Sequence, residues 1–152
     1  MVVCIMRKEN KTMREIEFRG KYDLNSEFTY GNLIHGVGSK SNKMYILPNV
    51  INLAKVKNCH PLDGVSVIPE TIGQYTGLKD KNGTKIFEGD ILEWVSCNPF
   101  SKGEIRKVQV YYIEAHFWCK GTIGVYLGEL LVHEKCEVIG NIHDNPELLK
   151  GE

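Results

Sequence analysis

The sequence predicts a mainly β protein, and three observations lead to that fold class. Fifteen glycines among 152 residues indicate many turns, which favours short strands over long helices. Apolar and polar residues alternate in several segments, as they do in strands that bury one face. The segment Asp80-Lys81-Asn82-Gly83 lies between two apolar runs, and Asn-Gly in that setting is a strong signal for a β-hairpin.

The residue types at Asp80–Gly83 also predict the geometry of the turn. Asp80 occupies the first position, where its carboxylate accepts hydrogen bonds from nearby backbone amides. Asn82 tolerates the third position, and Gly83 is free to adopt a positive φ. We therefore expect a type I turn closed by a one-residue bulge. A second tight corner is predicted at Glu88-Gly89-Asp90, where acids often cap backbone amides.

Strands are predicted before and after these turns. Ile16 and Phe18 alternate with Glu15, Glu17 and Arg19, which predicts a half-buried first strand. Further strands are predicted at 28–30, 32–37, 44–47, 65–68, 72–78, 85–87, 91–95, 107–119 and 138–142.

Two features of the second half of the chain predict the position of a strand in the fold and a C-terminal helix. The run 107–119 carries apolar residues on both faces, so we expect it to be central in a sheet or to bend around a barrel. Asn145-Pro146-Glu147 has the residue types of an N-cap, a first-turn proline and a first-turn acid. A short C-terminal helix is therefore predicted.

Composition limits the classes of protein that this chain can represent. There is no run of about 18 apolar residues, so no membrane span is predicted. The apolar start at residues 1–6 is too short for the core of a signal peptide, and we expect a cytoplasmic protein. Five cysteines without an export signal favour reduced, mostly buried thiols over a disulfide framework.

The formal net charge is zero, but the charges are unevenly distributed. Residues 1–21 contain six Lys and Arg against three Glu, whereas residues 129–152 contain six acids against two lysines. Oppositely charged ends attract each other within a chain or between subunits, so self-association is one expectation. The alternative is two independently solvated faces. A neutral chain lacks the broad positive field that nucleic-acid binding usually requires.

One spacing resembles a zinc site. His116 and Cys119, followed by His133 and Cys136, make two pairs of soft ligands with two residues between the members of each pair. On a strand, however, positions three apart point to opposite faces, and no glycine turn lies between His116 and Cys119. A structural role for these residues is therefore favoured over zinc binding, and no metal or other cofactor is predicted.

Two other groups could suggest catalysis. Cys59-His60 places a nucleophile beside a base, but such groups normally converge from separate segments. Glu88, Asp90 and Glu93 cluster as acid–base pairs sometimes do, although two of them flank a corner glycine. Phosphate-binding, dinucleotide-binding, metalloprotease and hydrolase motifs do not occur in the sequence. We therefore predict no catalytic residue.

A nucleic-acid surface is an alternative for the second half. Lys102, Arg106 and Lys107 are basic, and aromatic residues follow at 111, 112, 117 and 118. Basic and aromatic side chains together bind single-stranded nucleic acid. Aromatic residues of a small barrel are more often core residues, which makes this interpretation the less favoured one.

Five blocks of the chain resemble the YopX family of phage and prophage proteins. The blocks occur in family order and cover about residues 13–150; they are MREIEFRG at 13–20, FTYGNL at 28–33, PETIGQYTGLKDKNG at 69–83, IFEGDI at 86–91 and VIGNIHDNPELL at 138–149.

The resemblance implies a small phage-encoded protein in three parts. Residues 1–12 would be an N-terminal extension, residues 13–73 a smaller strand-rich lobe, and residues 74–152 an SH3-like barrel domain. The resemblance implies neither a catalytic residue nor an established activity. We therefore expect a non-enzymatic binding or assembly module that associates with itself and binds phage or host proteins. The alternative is a nucleic-acid-binding accessory protein. A zinc protein or an enzyme is the least favoured interpretation.

Overall fold

The structure, a computed structural model, describes residues 14–36, 43–48, 64–95, 102–120, 125–127 and 136–150. Within these ranges the chain forms two antiparallel sheets, which confirms the mainly β fold class. The strands are β1 (Phe18–Lys21), β2 (Phe28–His35), β3 (Met44–Pro48), β4 (Val65–Val67), β5 (Gly73–Lys79), β6 (Lys85–Phe87), β7 (Asp90–Val95), β8 (Ile105–Ile113), β9 (His116–Lys120), β10 (Val125–Tyr126) and β11 (Cys136–Asn141). The predicted extension at residues 1–12 lies outside the described residues.

The first sheet has six strands in the order β4-β3-β2-β1-β5-β6. Its centre is formed by β1, which pairs with β2 on one side and β5 on the other. The segment predicted as two short strands, at 28–30 and 32–37, is one continuous strand, β2. Among the described strands, β6 has no neighbour beyond β5, so it ends the sheet on that side.

The first strand buries its polar face, contrary to the expectation from its pattern. Glu17 and Arg19 are each only 6% exposed, whereas Ile16 is 61% exposed. The reason is that the polar side chains face a concave surface where charges of opposite sign are available. The alternation of apolar and polar residues therefore predicted the strand correctly, but it predicted the wrong face as the buried one.

The second sheet has five strands in the order β10-β9-β8-β7-β11, so β8 is central as predicted. The run 107–119 is nevertheless not one strand, because the chain reverses at Glu114 and Ala115 between β8 and β9. Both residues have positive φ, 50° and 65°. This two-residue hairpin lacks the Asn-Gly signature that would have predicted it.

The main apolar core packs against one face of the second sheet. It contains Leu92, Val108, Val110, Cys119, Leu127 and Cys136, and it includes Ile86 from β6 of the first sheet. The two sheets therefore share a core. Among the described residues, no hydrogen bonds join β10 to β11, so a closed barrel is not observed.

The C-terminal helix is a single 3₁₀ turn, Pro146–Leu149. Asn145 precedes it as predicted, but its side chain makes no capping hydrogen bond. Instead, the side chain packs against Gly140, where an added Cβ would come within 2.5 Å of Asn145 Oδ1. No helix in the described ranges is long and apolar enough to cross a membrane.

Candidate functional site

A cleft of about 450 Å³ lies between β6 and β11, which are terminal strands of the two sheets. Strands β1 and β2 and the first residue of β7, Asp90, also contribute to it. The lining residues are Glu17, Arg19, Phe28, Tyr30, Thr84, Lys85, Phe87, Asp90, Val138, Gly140 and Asn141.

Strand register explains why these side chains converge. Arg19 lies opposite Tyr30 on β2 and opposite Gly73 on β5, so all three share one face of the first sheet. Tyr75, two residues after Gly73, has the same orientation and lies opposite Phe87. The ring of Phe87 is 5.5 Å from that of Tyr75 and also 5.5 Å from that of Tyr30. Because β2 and β6 are separated by two strands, this proximity shows that the face is strongly concave.

A buried ion pair forms the floor of the cleft. Arg19 Nη1 lies 2.6 Å from Asp90 Oδ1, and Asp90 is only 1% exposed. The second carboxylate oxygen of Asp90 accepts a hydrogen bond from the Phe87 amide at 2.7 Å. Burial raises the pKa of the Asp90 carboxyl, while the Arg19 guanidinium and the Phe87 amide act in the opposite direction.

The Arg19 guanidinium is held from several sides. Its Nη2 donates to the carbonyl oxygen of Glu88 at 3.1 Å, and its Cζ lies 4.8 Å from the Phe28 ring centroid and 5.1 Å from that of Phe87. Gly73 permits the approach of Glu88, because a Cβ at position 73 would clash with that carbonyl oxygen. Arg19 Nε is buried and has no hydrogen-bond partner among the described residues.

A second cluster of charges lies beside the floor. Lys85 Nζ is 2.6 Å from Glu15 Oε1 and 2.7 Å from Glu17 Oε2. These two hydrogen bonds raise the pKa of Lys85 well above its ordinary value. The four charged residues that line the cleft are thus paired with one another, Arg19 with Asp90 and Lys85 with Glu17.

The predicted hairpin turn closes one end of the cleft. Gly83 has φ 83°, and Asp80 Oδ1 accepts hydrogen bonds from the amides of Asn82 and Thr84, each at 2.8 Å, which confirms the predicted geometry. The other oxygen, Oδ2, accepts from the amide of Val138 on β11 at 3.1 Å. Burial opposes ionisation of Asp80, but these hydrogen bonds outweigh it and lower the pKa of the carboxyl.

The opposite end is held by the segment after β11. Lys21 Nζ forms an ion pair with Asp144, which lowers the pKa of that carboxyl. The amides of His143 and Asp144 both donate to Asn141 Oδ1 at 3.0 Å. Burial and the nearby cations Arg19 and Lys21 lower the pKa of His143, so its imidazole is neutral at pH 7.

Two of the three acids singled out after the hairpin interact with backbone amides. Asp90 caps the Phe87 amide, and the Glu88 carboxyl interacts with the amides of Gln74 and Tyr112. Burial raises the pKa of Glu88 despite these two hydrogen bonds. Glu93 does not share a site with them, because it lies opposite Lys107 on the face of the sheet that points away from the core.

Of the zinc candidates that the structure describes, His116 is separated from the two cysteines, which lie together. His116 is exposed and Cys119 is fully buried, as opposite-facing strand positions require. Cys119 and Cys136 both belong to the apolar core, where burial raises the pKa of the Cys119 thiol to about 12 and also raises that of Cys136. His133, like Cys59 and His60, lies outside the described residues.

The three basic candidates do not form one patch. Lys102 lies in the exposed turn before β8. Arg106 and Lys107 are consecutive on β8 and therefore point to opposite faces. The Arg106 guanidinium lies 2.8 Å from Glu104 Oε2.

The aromatic candidates divide in the same way. Tyr111 lies opposite Trp118 on the face that also carries Lys107 and Lys120. Tyr112 and Phe117 form a ring pair at 5.0 Å on the other face. One face of the second sheet thus combines two lysines with two aromatic side chains, and it also carries Glu93 and Glu137.

The cleft itself was not predicted from the sequence. Arg19, Tyr30 and Lys85 come from three strands that only the folded sheets bring together. One signal was present, because Asp90 directly precedes an apolar strand, and a carboxylate buried there requires a cation or amide partner. The sequence did not indicate which cation it would be.

Comparison with known proteins identifies a family and similar solved structures. Residues 17–150 match the family model described as YopX protein. The chain is also similar to the crystal structure of protein EF1440 from Enterococcus faecalis, with 26% sequence identity and a TM-score of 0.53 over 89% of this chain and 98% of that one. No curated protein matches this chain.

Proposed function

This chain belongs to the YopX protein family, and from that membership we propose that it is a phage-encoded, non-enzymatic binding or assembly module whose binding site is the cleft between β6 and β11. It acts in the cytoplasm of the bacterial host. Its partners are phage or host proteins.

One observation carries this proposal: the four charged residues lining the cleft are paired with one another. A general acid or base must exchange protons with a substrate near neutral pH, and groups held in ion pairs are poorly suited to that. A concave surface with aromatic walls is, in contrast, well suited to binding. Tyr30 is 45% exposed at this surface, so its ring is available to a partner.

The C-terminal part, from about residue 74, is proposed to be an SH3-like barrel that follows a smaller strand-rich lobe. The shared core supports this, since Ile86 from the β5–β6 hairpin packs among residues of the five-stranded sheet. Covering the inner face of a curved sheet with a hairpin is one way in which small barrels bury their core.

The cleft proposal predicts which aromatic residue matters for binding. We expect Tyr30→Ala to reduce the recovery of partner proteins from a lysate of phage-infected cells by roughly tenfold, because interface tyrosines commonly contribute more than about 1.4 kcal/mol. Recovery on immobilised protein is measured by quantitative mass spectrometry.

Tyr112→Ala is the matched control. Tyr112 is similarly exposed, at 49%, and also packs against one aromatic ring, but it lies outside the cleft. Equal loss of partners in both variants, or retention of all partners by the Tyr30 variant, would count against the cleft.

Self-association is part of the proposal and rests on the opposite charges of the two ends of the chain, of which Lys21 and Asp144 already pair within the chain. We expect a dimer or larger assembly that dissociates as salt is raised, since exposed charges are screened. Light scattering over a wide concentration range measures this, and a monomer throughout at low salt would contradict it.

A second candidate function is nucleic-acid binding, favoured by the face that carries Lys107, Tyr111, Trp118 and Lys120. If it is correct, Lys107→Gln weakens binding to a single-stranded oligonucleotide and reduces the salt slope by about one. Arg106→Gln, on the opposite face and already paired with Glu104, leaves binding unchanged. Absence of binding in a low-salt titration dismisses this candidate.

A further inference from the structure

We infer that the cleft binds an uncharged polypeptide segment in extended conformation, which adds its main chain alongside β6 or β11. This inference rests on the proposed function, because it names the class of ligand for the same cleft. Three independent features of the cleft support it: the strands that flank it, the balance of its charges, and one buried donor.

The cleft lies between two terminal strands. A terminal strand has main-chain groups without a partner inside its own sheet, and such groups are a template for an added strand. On β6 the amide of Phe87 is already bound by Asp90, so an added strand there would pair with the other main-chain groups of the strand. The protein already uses β11 in this way at one end of the cleft. There Lys81 N donates to the carbonyl oxygen of Cys136 at 3.1 Å, and Asp80 Oδ2 accepts from Val138 N at 3.1 Å. The cleft begins where the turn ends, along Val138, Gly140 and Asn141.

The charges of the lining select against a charged ligand. The formal charges of the lining residues sum to zero, because the two cations Arg19 and Lys85 are balanced by the two anions Glu17 and Asp90. A ligand carboxylate or ammonium group that displaced Arg19 or Asp90 from its pair would leave the other member buried and unpaired, which is costly. An uncharged segment leaves both pairs intact and places apolar side chains against the ring of Tyr30.

Arg19 provides the donor. The residue is only 6% exposed, and Nε has no hydrogen-bond partner among the described residues, although Nη1 and Nη2 are engaged. A buried donor without an acceptor costs free energy that a ligand acceptor can recover. A peptide carbonyl is a neutral acceptor of the required kind. Since Nε is covered, a neighbouring side chain must move first, and Phe28 and Tyr30 are only partly buried.

A synthetic library of short acetylated and amidated peptides, uncharged and charged, tests this inference. Dissociation constants are measured by fluorescence polarisation, and ¹H–¹⁵N spectra follow the Nε–H resonance of Arg19 and the amide of Gly140. We expect the tightest peptides to be uncharged and to shift both resonances. Methylation of alternate peptide nitrogens weakens binding by roughly tenfold, the effect of losing about 1.4 kcal/mol of main-chain hydrogen bonding. Tyr30→Ala does the same, whereas Tyr112→Ala has less than a roughly twofold effect.

Several results would overturn the inference: no peptide binds, charged peptides bind more tightly, or methylation of the peptide nitrogens has no effect in any register. If one of these occurs while Tyr30→Ala still abolishes capture of intact partners, the ligand class is wrong and the binding function stands. If Tyr30→Ala changes neither peptide binding nor capture, both proposals fail.

Discussion

Replacing Arg19 with methionine is expected to lower the free energy of unfolding by about 3–5 kcal/mol, the usual cost of removing one partner of a buried ion pair. The substitution leaves the Asp90 carboxylate, 1% exposed, with only the Phe87 amide as a neighbour of opposite polarity. It also removes a cation packed against the rings of Phe28 and Phe87. Urea unfolding followed by tryptophan fluorescence measures the loss.

The loss of stability caused by Arg19→Met should depend on pH. Without the guanidinium, the main influence that lowers the pKa of Asp90 is gone and the Phe87 amide alone opposes burial, so the pKa rises further above the unfolded value. A carboxyl with a raised folded pKa favours folding when it is protonated, and this contribution is lost as the pH rises through the folded pKa. The Arg19→Met variant should therefore be closer to the wild type near pH 4 than at pH 7.

Two controls separate this effect from a general loss of packing. The double variant Arg19→Met, Asp90→Asn should recover much of the stability, because no charge is left buried and the new amide oxygen can still accept from the Phe87 amide. Arg106→Met, at the exposed pair with Glu104, should cost less than about 1 kcal/mol. Additive losses in the double variant would show that the charges are not coupled.

Replacing Asp80 with alanine is expected to cost about 3 kcal/mol. Its carboxylate accepts from the amides of Asn82, Thr84 and Val138, and hydrogen bonds to a charged group are worth about 1.5–3 kcal/mol each before relaxation. The loss affects two places at once, because the same side chain forms the turn and attaches it to β11. Hydrogen exchange should accordingly be faster in both the hairpin and β11.

Asp80→Asn is the matched control, since it keeps one carbonyl oxygen and removes the charge. The folded pKa of Asp80 is lowered, so its stabilisation is present above the ordinary carboxyl value of 3.8 and is lost as the pH falls through the folded pKa. The difference in stability between the wild type and the asparagine variant should therefore shrink below about pH 4. A constant difference from pH 7 to pH 3 would contradict the assigned hydrogen bonds.

Local features of the fold were predictable because their causes lie within a few residues. The turn at Asp80–Gly83 has the predicted hydrogen bonds and the predicted positive φ at Gly83. The central position of β8 followed from apolar residues on both of its faces. In contrast, the hairpin at Glu114–Ala115 was not recognised, because neither residue is typical at positive φ and tertiary pairing overrides their preference.

The site could not be predicted because it depends on contacts between residues distant in the sequence. Arg19 and Asp90 are 71 positions apart and meet only because β1 pairs with β5 and Gly73 admits the backbone of Glu88. The alternation around Phe18 showed a strand and could not show that a concave surface would bury its polar face. Cys119 and Cys136, weighed from the sequence as zinc ligands and favoured as structural residues, belong to the apolar core.

The central claim is that partners bind in the cleft, and hydrogen–deuterium exchange tests it most directly. The chain is measured alone and with the partner captured from the infected-cell lysate. When the partner is bound, we expect increased protection of the amides of β6 and of residues 138–141. Exchange in β3 and β4, at the far side of the first sheet, should be unchanged. Protection confined to the face of Lys107 and Trp118, or the absence of any captured partner, would contradict it.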